Sequence, residues 1–232
     1  NEPFLIKDLH KYIHYAHKKG FMDIMLNNNG SALTKKRSQQ ILDSGLTRLR
    51  FSLDAHDPNT YSKVRVGSIA LDRVKRNIET FLELKEKGGY KLPIVGVSFC
   101  KLKQNENEVE EFTAYWRNKV DIISIQKFMP PTPNKEKYKE YYSSDQYHEK
   151  ILDKFNCVQP YQRLVIKNQN IYPCCVSFNK DLVLGSIRST RIHDAWHSSK
   201  MNELREIHKK GTYKENKTCK TCVELIYPPK AN

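Results

Sequence analysis

The chain has 232 residues, 38% of them hydrophobic, enough for one sizeable core or a main domain with a small appendage, which excludes a disordered chain. No apolar run approaches the ~20 residues of a membrane-spanning helix, so no membrane partner is expected. Forty Lys and Arg against 26 Asp and Glu leave +14, but these cations are spread over almost every expected helix with no basic block interleaved with aromatics, so they read as solvated faces and not as a nucleic-acid interface.

Leu5, Leu9, Ile13 and Ala16 recur at three-to-four spacing and predict an amphipathic helix over 5–19, stopped by Gly20. Met22, Ile24 and Leu26 mark a strand ending in the turn-forming Asn27-Asn28-Asn29-Gly30. A helix over 34–43, a strand over 46–53 and a longer helix over 70–87 follow; the last carries Leu71, Val74, Ile78 and Phe81 on one face, with Gly88-Gly89 as its stop. A strand over 94–99, a helix carrying Val109, Phe112 and Trp116, and a strand over 120–125 complete the first half. Strand and helix thus alternate as in βα units, and the strands read as short, nearly continuous apolar runs. The expected architecture is α/β, a partial (β/α)6 TIM-like barrel over residues 1–126 entered at the end of its second strand, with function at the strand C-termini.

Residues 127–156 read as a Pro-, Lys- and Tyr-rich crossing segment and then a short helix near 145–155, with Tyr147, Ile151, Leu152 and Phe155 on one side. Residues 157–232 read as a small α+β cysteine-rich module, with strands over 162–167 and 171–174, another near 181–184, a helix over 191–210 and a terminal Cys-x-x-Cys.

Cys157, Cys174, Cys175, Cys219 and Cys222, five of the six cysteines, lie in that last module. Such crowding favours metal or redox chemistry over a disulfide framework. A Cys-x-x-Cys turn aims two thiolates at one metal, and two more brought in by a hairpin complete a four-sulfur site. Lys217 and Lys220 flank the terminal pair and are expected to favour thiolates. The blander reading makes Cys157 and Cys175 small buried hydrophobes, and spacing alone does not separate zinc from iron–sulfur. Cys100 stands alone and reads as a core residue. In the first half, Ser52 and Asp54 alternate with apolar Phe51 and Leu53 at a strand end, where polar side chains point into a barrel mouth. Arg65 suits a carboxylate through bidentate hydrogen bonds.

The run from Cys157 to Pro173-Cys174-Cys175, then Leu184-Gly185-Ser186-Ile187, Ile192 to Trp196, Leu204-Arg205 and Cys219 to Cys222, closely resembles the SPASM or twitch auxiliary-cluster modules of radical S-adenosylmethionine (SAM) enzymes. One departure is Gln169, where relatives carry a glycine; Asn168 or Asn170 is expected to take the left-handed conformation instead. The first half resembles the radical SAM barrel. Glu2-Pro3 is similar to its Gly-Glu-Pro motif, Asn28-Asn29-Gly30 to Thr-Asn-Gly, and Phe51 to Ala55 to its Ser-hydrophobic-Asp element, with Arg65 thirteen residues after Ser52. The resemblance implies that Cys157, Cys174, Cys219 and Cys222 hold an auxiliary [4Fe–4S] cluster. It implies that Glu2, Pro3, Asn29, Ser52, Asp54, Arg65 and Gln126 border SAM, and that Cys175 exchanges a proton or hydrogen atom with substrate. The intact enzyme is expected to be cytoplasmic and to carry a second [4Fe–4S] cluster. Fed electrons by a flavodoxin or ferredoxin, it would generate a 5′-deoxyadenosyl radical that abstracts hydrogen from a peptide, sugar or cofactor precursor. The family's Cys-x-x-x-Cys-x-x-Cys loop occurs nowhere in these 232 residues, which do not begin with Met, so the chain reads as N-terminally truncated and inactive alone. The alternatives are a zinc-stabilised, non-enzymatic module that binds nucleic acid or another polyanion, and a catalytically dead scaffold.

Overall fold

The structure, a computed structural model, describes residues 2–134, 136–146, 153–176 and 180–226. It divides into two compact units, residues 1–128 and 129–232.

In the first unit Pro3–Leu5 forms a separate 3₁₀ turn, and helix α1 (Leu9–Lys18) starts later than its apolar spacing predicts. Strand β1 (Met25–Asn28) leads to α2 (Lys35–Leu42), whose first orphan donors are met by Thr34, its hydroxyl accepting from the Arg37 N–H at 3.3 Å. Strand β2 (Arg48–Ser52) is followed by α3 (Pro58–Val64), which has Asp57 as N-cap and proline in its first turn. Then come α4 (Leu71–Lys87), β3 (Ile94–Lys101), α5 (Val109–Trp116) and β4 (Ile122–Lys127). The four strands are parallel, in the order β1-β2-β3-β4. This is the α/β architecture of a partial TIM-like barrel.

Strand β3 is buried continuously from Val95 to Phe99, as the expected buried strands should be, but the others are not. In β2, Leu49 and Phe51 are buried while Arg48, Arg50 and Ser52 are only partly so, because there one sheet face packs under the helices. The register gathers Asn27, Arg50, Ser52, Ser98, Ser124 and Gln126 on the other face. On the packed face Phe51 meets Phe81 of α4 edge-on at 6.2 Å, and Val97, Phe99, Phe112 and Trp116 continue the core.

In the second unit the crossing segment holds a 3₁₀ turn (Glu136–Tyr141), after which the buried Tyr142 hydroxyl donates to the Leu225 carbonyl at 2.8 Å. The helix expected near 145–155 falls largely on residues 147–152, outside the described residues; Phe155 packs edge-on against Tyr213 at 6.0 Å. A short helix α6 (Gln159–Gln162) precedes an antiparallel sheet of β5 (Val165–Lys167), β6 (Asn170–Tyr172) and β7 (Gly185–Ser186). Asn168 (φ 49°) and Gln169 (φ 69°) close the β5–β6 hairpin as a type I′ turn, so Gln169 itself takes the left-handed conformation, and Asn170 belongs to the strand. The strand expected near 181–184 is instead a 3₁₀ turn (Lys180–Leu182) that buries Leu182, and the pairing falls to β7. The single helix expected over 191–210 is two, α7 (Ile192–Trp196) and α8 (Ser199–Lys210). Ser198 is extended and caps α8, its hydroxyl accepting from the Met201 N–H at 3.3 Å. Helix α9 (Lys217–Ile226) ends the described chain.

Candidate metal centre

Cys219 and Cys222 lie on α9 and not in a turn, and their spacing of three puts both on one helix face. The Asn216 side chain accepts from the Cys219 N–H at 3.0 Å and holds this first helical turn. Cys174 follows β6, and Cys157 stands two residues before α6. These four, with Cys175 and His208, line one cavity of about 270 Å³ whose other walls include Leu182, Leu204 and Val223. Cys174 and Cys219 also pack against the small core of Tyr172, Leu182 and Leu204.

Among the described residues no three His, Cys, Asp or Glu side chains close in as a site for a single metal ion. A tetrahedral zinc with Zn–S bonds of ~2.3 Å needs sulfurs ~3.8 Å apart. Thiols set around a cavity of about 270 Å³ fit a multi-atom metal–sulfide cluster better than one ion.

Burial pushes the Cys219 and Cys222 thiols up to about 12 and Cys174 up to about 11, and raises Cys157 too. Neighbouring thiols add to each rise. The expectation that Lys217 and Lys220 favour thiolates is therefore corrected: desolvation dominates at Cys219 and Cys222, and neither lysine contributes. The site is a set of protonated thiols until a metal displaces the protons, so loading releases acid. The adjacent Cys174 and Cys175 differ in setting: Cys174 is half-buried with its Sγ directed at the Val176 carbonyl, 3.9 Å away, whereas Cys175 is exposed at the rim.

Sequence reasoning missed His208. It lies on the apolar stripe Met201, Leu204, His208 of α8 and is 2% exposed. Its Nδ1 accepts from the Cys157 N–H at 3.2 Å, and its Nε2 is 3.4 Å from Cys219 Sγ. Burial lowers its pKa, outweighing a hydrogen bond with the Phe155 backbone that raises it. The helical period was the one signal available, and a histidine on it reads equally well as packing.

The remaining predicted site residues lie at strand ends of the first unit. Glu2 Oε1 accepts from Phe4 N–H at 3.1 Å and Oε2 from Asn29 N–H at 2.8 Å, joining the Pro3 turn to the loop after β1. In that loop Gly30 has φ 72°, and a Cβ there would lie 2.9 Å from Val74 Cγ1, so the loop requires glycine. Ser98 Oγ lies 3.5 Å from Ser52 Oγ, on the polar sheet face that also carries exposed Gln126. Asp54 Oδ1 accepts from the Cys100 N–H at 2.8 Å, and Oδ2 pairs with Arg65 at 2.5 Å. The Arg65 Nε is buried and unpartnered among the described residues. No spacing or motif pointed to Asn105, whose side-chain amide donates to the Asp54 and Cys100 carbonyls at 2.7 and 2.9 Å.

Residues 157–223, the segment that holds these five cysteines and His208, match the SPASM family, an iron–sulfur cluster-binding domain. The chain is 34% identical over 165 residues to the GTP 3′,8-cyclase of Thermodesulfovibrio yellowstonii, covering 69% of this chain and 48% of that one. Its fold is similar to Streptococcus suis SuiB, with TM-score 0.64 and 16% identity over 98% of this chain and 60% of that one. It is similar also to anSMEcpe with bound AdoMet, with TM-score 0.62 and 13% identity over 96% of this chain and 69% of that one. Residues 157–223 thus belong to the SPASM family, and together these likenesses support a radical SAM protein that carries a SPASM module. The SPASM module is thus the part of the second unit that builds the cysteine-lined cavity, and it is an iron–sulfur cluster-binding domain. The chain spans less than half the length of the curated relatives it matches, 42% and 48% for two of them. Among the described residues no helix is long and apolar enough to cross a membrane.

Proposed function

We propose that this chain is the substrate-facing and auxiliary-cluster part of a radical SAM enzyme, with Cys157, Cys174, Cys219 and Cys222 as ligands of one [4Fe–4S] cluster. The observation that carries the reading is the meeting of these thiols at one cavity of the SPASM module although they come from three separate stretches of chain. A cluster held there supplies one-electron chemistry or an iron to which substrate can be anchored. The chain's own residues do the rest. The apolar wall of Leu182, Leu204 and Val223 excludes water, and Cys175 at the rim stands where it can exchange a proton with substrate. Ser52 and Gln126 on the polar sheet face offer hydrogen bonds to SAM, while Glu2, Asn29, Asp54 and Arg65 fix the loops around them. The residues present do not fit the SAM-cleaving cluster, because its cysteine triplet is not among the 232, so these residues alone should not cleave SAM.

The substrate class is a peptide, sugar or cofactor precursor, with a flavodoxin or ferredoxin as reductant. The name of the relatives, GTP 3′,8-cyclase, and the net charge of +14 favour an anionic cofactor precursor. Anaerobic reconstitution with iron and sulfide tests the cluster. The expected product is brown, holds about four irons per chain, and loses most of them in Cys219→Ser. A colourless protein holding a single zinc would sink the iron–sulfur reading in favour of a zinc-stabilised module.

A further inference from the structure

We infer that His208 donates an N–H···S hydrogen bond to Cys219 and thereby raises the reduction potential of the cluster held in the SPASM cavity, an inference that rests on the function proposed above. The ring's other nitrogen sets the tautomer. A backbone amide can only donate, so the 3.2 Å contact from Cys157 N requires a lone pair on Nδ1. With Nδ1 accepting, the ring's hydrogen is on Nε2, the nitrogen 3.4 Å from Cys219 Sγ. The same assignment separates a donor from a ligand. A metal-ligating imidazole presents a lone pair to the metal and donates its other N–H to an outer partner. Here the outer nitrogen accepts, so the inner one carries hydrogen and faces sulfur as a donor.

The geometry is fixed from both sides. His208 is 2% exposed, so water does not compete for Nε2, and the α8 stripe of Met201 and Leu204 sets the ring's position. The imidazole therefore bridges two of the proposed ligands, the backbone of one and the sulfur of the other, across 51 and 11 residues of sequence. Adding an electron to a thiolate-ligated cluster increases the negative charge on its sulfurs, so a donor at one sulfur stabilises the reduced form more than the oxidised.

The test compares reconstituted wild type with His208→Phe, which keeps a ring but no donor, and His208→Gln, which keeps both an acceptor and an N–H. Iron and sulfide are counted first, and midpoint potentials are then read by spectroelectrochemical titration. All three proteins should hold the same iron. The potential of His208→Phe should fall below that of wild type, and His208→Gln should recover most of the shift. An unchanged potential in His208→Phe, or loss of iron from either variant while wild type loads normally, overturns the inference. A wild type that takes up no iron marks a failure of the proposed function itself, and the inference falls with it.

Discussion

Asp54 ties three segments together from one position. Its backbone is left-handed, with φ 65°, a conformation that a short polar side chain tolerates through local hydrogen bonds. Its carbonyl accepts from Asn105, and its two carboxylate oxygens take the Cys100 N–H and the Arg65 guanidinium. Burial raises the carboxyl above its usual 3.8, outweighing the attraction of Arg65 and the Cys100 hydrogen bond. A folded-state pKa above the unfolded one means stability that is fully present below 3.8 and lost as pH rises through the folded value. Asp54→Asn cannot titrate, so wild type should lose stability relative to this variant between pH 4 and pH 7. Urea unfolding of both proteins, followed by the fluorescence of buried Trp116 in a Trp196→Phe background, reads the difference. A wild type that gains on the variant over that range would mean that Arg65, not burial, governs the site.

Helix α4 shows what an element can declare about itself. The apolar spacing predicts 70–87, and the helix forms over Leu71–Lys87 because both its stripe and its glycine stop are local. Leu71, Val74, Ile78 and Phe81 are all buried, and Phe81 lies edge-on to Phe51 in the middle of the sheet. Phe81→Ala should cost about 3–5 kcal/mol, measured by urea denaturation. A cost under about 1 kcal/mol would mean that the helix repacks around the hole. Elements of the second unit were less legible for a physical reason. The break between α7 and α8 hangs on one serine cap, and the β6–β7 pairing on two residues of β7. Cysteine spacing drew attention to Cys157, Cys174, Cys219 and Cys222, but it could not say that the terminal pair is helical. His208 was beyond reach, since what distinguishes it from any packed histidine is contact with Cys157 and Cys219, which only the folded chain supplies. The polar strand face was misread for a related reason: Arg50 and Ser52 interrupt β2, and only the register reveals that such residues align across four strands.

The two units of the molecule rest on different foundations. The first buries a continuous core that runs from Phe4 to Trp116 and includes five phenylalanines, sufficient for a domain of its size without help. Beside the cysteine cavity the small buried cluster is Tyr172, Leu182 and Leu204, joined by the partly buried Val165, Cys174, Val183 and Cys219. Two of those seven side chains are proposed cluster ligands, so metal binding and folding are coupled there. Removing the iron should therefore act on the second unit and spare the first. Calorimetry of the reconstituted protein should show two transitions, and anaerobic chelation should lower the one belonging to residues 129–232 while leaving the other in place. Limited proteolysis assigns them, because the stripped protein should be cut after residue 128 while fragments spanning β1 to β4 persist. If both transitions fell together, the units would share their stability and the first would depend on the metal too. If neither moved, the small core around Tyr172 would be self-sufficient, and the cysteines would serve chemistry without serving the fold.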